Sequence, residues 1–80
     1  MNFEKTGDES FMLKFNKNIY DFKTIEKSLE AYSDFMFFEF DENETYFKLT
    51  IKSLDTNFKT YTLCLEFSNY VIGMIKENGL

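Results

Sequence analysis

From Thr60 to Asn78 the chain reads TYTLCLEFSNYVIGMIKEN, and its apolar residues recur at the three- and four-residue steps of an α-helix. Leu63, Phe67, Tyr70 or Val71, and Met74 make the stripe; Cys64, Val71 and Ile75 widen it, and Glu66, Ser68, Asn69, Lys76 and Glu77 fall on the wetter flank. Thr60 or Thr62 is placed to cap the start and Gly79 to stop the end, with Lys76 in the last turn where a cation is favoured. A helix so one-sided is the lid of a small core, and the rest of the chain must supply the layer beneath it.

Upstream, Met1 to Ser10 is polar, carries Gly7 and has no usable period, so residues 1–10 are expected as a flexible lead-in. Phe11 to Phe15 alternates, with Phe11, Leu13 and Phe15 on one face, and predicts a first strand. Asp21 is placed as the N-cap of a helix running to about Ser33, entered through a hydrophobic staple of Tyr20 on Ile25. Its buried stripe is expected to be Phe22, Ile25, Leu29 and Tyr32, with Lys23, Glu26, Lys27 and Glu30 solvated. The run FMFFEF, Phe35 to Phe40, is too short for a helix and too aromatic for a loop. It predicts a strand with Met36, Phe38 and Phe40 on one side and Phe35, Phe37 and Glu39 on the other. Asp41 to Thr45 is a polar turn, and Tyr46 to Leu54 alternates with Phe47, Leu49 and Ile51 inward, which completes a hairpin.

The order β-α-β-β-α predicts a single α+β domain over residues 11–80: a three-stranded sheet with two helices on one face, ferredoxin-like but lacking the last strand. The first strand is then an exposed edge, and the open face shows Met12, Phe35, Phe37 and Tyr46. With 11 Phe and 5 Tyr in 80 residues, there are more rings than two amphipathic helices can hide. An open edge beside exposed rings predicts a protein-binding module, completed by a homodimer, a partner protein or an added peptide strand. The competing expectation is that the N-terminal tail folds back over this surface.

Charge and residue types exclude much chemistry. The net charge is -5, and every base is Lys because the chain has no Arg, which disfavours direct nucleic-acid binding. Without His there is no Ser-His-Asp or Cys-His arrangement, and a single Cys64 inside an apolar stretch reads as an inert thiol. Asp41, Asn43 and Thr45 have the alternate spacing of a calcium loop, but Tyr46 stands where glycine is required and Lys52 where glutamate is. No catalytic residue, cofactor or metal is therefore assigned. One Cys, no leader and no apolar run long enough for a bilayer point to a soluble cytoplasmic protein without membrane contact. Between Lys27 and Lys48 there is no base, while Glu30, Asp34, Glu39, Asp41, Glu42 and Glu44 accumulate. That acidic run suits a basic partner, or alternatively an acidic inhibitor occupying the nucleic-acid groove of an enzyme.

The segment IYDFKTIEKSLEAYSDFMFFEF, Ile19 to Phe40, followed by a hairpin and LEFSNYVIGMI, Leu65 to Ile75, resembles the small D protein of the His-Xaa-Ser system. The sharpest piece is the helical E-F-x-N-Y motif, matched by Glu66, Phe67, Asn69 and Tyr70. The resemblance implies a non-catalytic companion of a radical SAM peptide maturase or of its precursor. The partner-binding residues expected on these combined grounds are Phe35, Phe37, Tyr46, Asn69 and Tyr70, with Asp41, Glu42 and Glu44.

Overall fold

The computed structural model describes residues 3–7, 9–55, 57 and 59–77. The elements are β1 (Phe3–Lys5), β2 (Ser10–Asn16), α1 (Phe22–Tyr32), β3 (Met36–Glu42), β4 (Tyr46–Ser53) and α2 (Thr60–Glu77). They form a four-stranded sheet in the order β1-β2-β4-β3, with every neighbouring pair antiparallel. Because β4 runs against both β2 and β3, those two are parallel to each other, and α1 carries the chain over the gap that β4 fills.

The sheet therefore has four strands where the sequence predicts three. The extra strand lies in the expected lead-in: Phe3 pairs with Leu13 and Lys5 with Phe11, so the edge of β2 is covered. Rings hold it there, since Phe3 and Phe11 both stack edgewise on Tyr61 of α2, with centroids 5.6 and 5.7 Å away. β1 occupies the place beside the first crossover strand that the last strand takes in a ferredoxin-like sheet.

One alternating set of strand side chains faces the helices. Leu13 and Phe15 of β2, Phe47, Leu49 and Ile51 of β4 and Met36 of β3 join Ile25, Leu29, Leu63, Cys64, Phe67 and Val71 in one buried cluster. Ser28 of α1 and Ser68 of α2 are buried, and each hydroxyl donates to a carbonyl one turn back, Thr24 and Cys64, at 2.8 Å. Ser68 thus faces inward, not to the wetter flank. The polar side chain is tolerated there because its own helix satisfies it.

Local signals place most boundaries. Asp21 caps α1, its Oδ1 accepting the Thr24 N–H at 2.7 Å, and Tyr20 stacks on Phe15 at 5.1 Å. The hairpin turn closes through Asn43, whose Oδ1 accepts from the N–H groups of Thr45 and Tyr46 at 2.8 and 2.7 Å. At the start of α2, Thr60 Oγ1 accepts the Ser53 N–H at 3.0 Å and so ties the end of β4 to the helix. The stop assigned to Gly79, with Asn78, lies outside the described residues.

Two expectations follow for stability. Phe67 is fully buried and touches rings from β2 and α1, Phe15 and Tyr32, so Phe67→Ala should cost about 3–5 kcal/mol in urea unfolding. Asp21→Ala should cost about 1 kcal/mol. The hydrogen bonds from Thr24 lower the Asp21 pKa below its ordinary 3.8. The stabilisation by the cap is thus present above that value and lost as the pH falls through the lower folded value. Wild type should lose stability over that acid range by more than the Asp21→Ala variant does.

Candidate functional site

The open edge of the sheet is β3. Hydrogen bonds at its two ends fix which of its backbone groups are used: the Asn43 N–H donates to Tyr46 O at 3.0 Å, and the Leu54 N–H donates to Phe35 O at 3.0 Å. Antiparallel ladders alternate, so Phe37, Glu39 and Asp41 bond to β4, while the N–H and C=O groups of Phe38 and Phe40 point away from the sheet. At Glu42 the outward N–H is taken by Asp41 Oδ1 at 2.8 Å. Met36 has the same outward parity but is buried, so the usable part of the edge is Phe38 to Phe40.

The same edge carries apolar surface. Phe38 is 42% exposed, and Phe22 of α1, expected in that helix's buried stripe, is 48% exposed. With Leu29 and Phe40 they floor a groove of about 430 Å³ between α1 and β3, rimmed by Glu26 and Glu30. Phe22 meets Phe40 edgewise at 5.6 Å and Phe47 at 6.1 Å. The cause is geometric: α2 packs against β2 and β4 and α1 against α2, so the edge strand lies at the margin of the helical layer. The sequence carried the parts of this groove, since Phe38, Phe40 and Phe22 sit on inward-facing positions, but not the fact that the strand bearing two of them would be an edge.

The residues singled out from the sequence fall into separate places. Phe35 is not on the open sheet face; it lies in the turn before β3 with its ring 6.2 Å from Tyr32, and it lines a cavity of about 930 Å³ together with Leu54, Leu63, Glu66 and Tyr70. Tyr70 stacks on Tyr32 at 5.4 Å, so Phe35 and Tyr70 are brought to one site. Burial, and then the neighbouring Glu66 and Tyr70, push the Tyr32 phenol above its ordinary 10.0. Phe37 and Tyr46 do share the open face, but Phe37 stands opposite Lys52 and Tyr46 opposite Asn16, about 20 Å apart along the strands. Lys14 lies over the Tyr46 ring at 5.8 Å. The open face is therefore mixed, and Phe37, 64% exposed, is its one large bare ring among the described residues. Asn69 is exposed on α2. Before α2, Asp55 Oδ1 accepts the Asn57 N–H at 2.9 Å.

Asp41, Glu42 and Glu44 gather at the hairpin, but two have cationic neighbours. Glu42 pairs with Lys17 at 2.6 Å, and Asp41 stands across from Lys48. Glu39, by contrast, faces the neutral Thr50. The bases nearest it across the strands, Lys48 and Lys52, stand diagonal to it on the same face.

Among the described residues no group of three His, Cys, Asp or Glu is placed to hold a metal ion, and no helix is long and apolar enough to cross a membrane. The chain matches no protein-family model, no curated protein and no solved structure. Cys64 is fully buried, and desolvation pushes its thiol up to about 12. At neutral pH it is protonated and shielded, so the folded chain should resist iodoacetamide alkylation, whereas chain unfolded in urea should react. Alkylation of Cys64 at equal rates in both states would contradict this burial.

Proposed function

We propose that this chain is a non-catalytic protein-binding accessory module that holds an extended segment of its partner along β3. The single observation that carries the reading is the edge itself: Phe38 and Phe40 present unpaired backbone groups beside a groove floored by Phe22 and Leu29. Main-chain bonds from such an edge supply affinity, and the adjoining groove supplies selectivity for alternate side chains. The thiol chemistry open to a single cysteine is suppressed by its burial, which supports a role in binding over one in catalysis. The setting in peptide maturation comes from the resemblance at Glu66, Phe67, Asn69 and Tyr70. The partner it suggests is a radical SAM maturase or its precursor peptide.

The alternative of an acidic inhibitor draws no support from the hairpin, where Lys17 and Lys48 stand beside two of the three carboxylates. The test is calorimetric titration of the purified chain with the maturase and with its precursor. Phe38→Lys, which alters a half-exposed ring, should weaken binding by about tenfold or more with the circular dichroism spectrum retained. Binding unchanged by Phe38→Lys would remove β3 from the partner interface.

A further inference from the structure

The occupant of the β3 edge is constrained by what lies on each side of it. Side chains on a strand alternate between faces, so a segment added to β3 puts one set beside Phe38 and Phe40 and the other beside Phe37, Glu39 and Asp41. The first set enters the groove between α1 and β3, whose floor is Phe22, Leu29, Phe38 and Phe40. Short apolar side chains suit that floor. The second set lies on the open face directly across from Glu39 and Asp41, whose neighbouring bases, Lys48 and Lys52, stand on β4, on the far side of β3 from the added strand. Glu26 and Glu30 add negative charge on the groove rim, and no residue lining the groove is basic.

We infer that the edge selects a strand in which apolar residues alternate with lysine or arginine, apolar side chains going under α1 and basic ones meeting Glu39 and Asp41. This rests on the docking role proposed above and specifies the partner segment. Opposite charges placed directly across neighbouring strands stabilise pairing, and like charges there oppose it. A second copy of the chain fits worse for the same reason. The two-fold register centred between Phe38 and Phe40 sets Glu39 against Glu39, and the one centred on Phe40 sets Glu39 against Asp41. Only the register centred on Phe38 avoids a facing pair of carboxylates, and it still joins two chains of net charge -5.

The experiment uses the isotope-labelled full chain and two peptides matched to the seven residues of β3, one alternating valine with lysine and one alternating valine with glutamate. The lysine peptide should shift the amide resonances of Phe38 and Phe40 and slow their hydrogen exchange. The glutamate peptide should bind about tenfold more weakly, and Glu39→Lys, an exposed change, should reverse that order. N-methylation of the valines, whose N–H groups face β3 in an antiparallel strand, and of the lysines, whose N–H groups face it in a parallel one, should abolish binding without altering the protein.

Equal binding of the two peptides would overturn the charge selection and leave the docking role standing. Undiminished binding of the peptide N-methylated at the valines and of the one N-methylated at the lysines would overturn both, because the edge backbone would then not be used. No binding of either peptide at millimolar concentration would overturn the inference, with the docking role still decided by Phe38→Lys against the full partner. Self-association lost in Phe38→Lys and indifferent to the peptides would assign the edge to a second copy and overturn it as well.

Discussion

The backbone of β4 is used on both sides: residues 47, 49 and 51 bond toward β2 and residues 48, 50 and 52 toward β3. This forces the chain to leave a strand-wide gap when it crosses from β2 through α1 to β3, and then to return into that gap by the hairpin. Phe47, Leu49 and Ile51 sit at the centre of the buried cluster for the same reason, with both helices above them and strands on either side. The position of every other element follows from this one strand. β2 is brought against β4 and needs a cover on its far side, which β1 supplies. β3 is brought against the other side of β4 and has no neighbour beyond it among the described residues.

Much of this was legible from residue order. Alternation in Tyr46 to Leu54 placed Phe47, Leu49 and Ile51 inward, the Asp21 cap fixed the start of α1, and the three- and four-residue spacing placed α2 from Thr60. β1 was not legible, because three residues, Phe-Glu-Lys, give no period, and what fixes them is a distant ring, Tyr61. Phe35 went to the wrong place for a related reason. Its parity assigns it to the open face beside Phe37, but the strand begins one residue later, and the turn carries the ring to Tyr32. The candidate site was harder than the fold. Composition indicated surplus rings, whereas which rings stay bare depends on the reach of α1 over an edge strand, a tertiary quantity that local sequence does not encode.

Unpaired edges are hazards, and the two edges of this sheet are protected differently. β1 is three residues long and carries exposed Glu4 and Lys5, so it offers little for another chain to template. β3 is seven residues long with bare phenyl rings, and its protection is charge: Glu39, Asp41 and Glu42 along the strand, with the Asp41 side chain closing the outward N–H of Glu42. Charge of one sign protects selectively. It opposes pairing with a second acidic copy in the registers that set Glu39 against Glu39 or Asp41, and it does not oppose a segment of opposite sign. A lysine-guarded edge would resist self-pairing equally well and would reject the basic strand proposed for this one. The sign of the guard, with an apolar groove behind it, is therefore what separates an edge that is merely protected from one that is also selective.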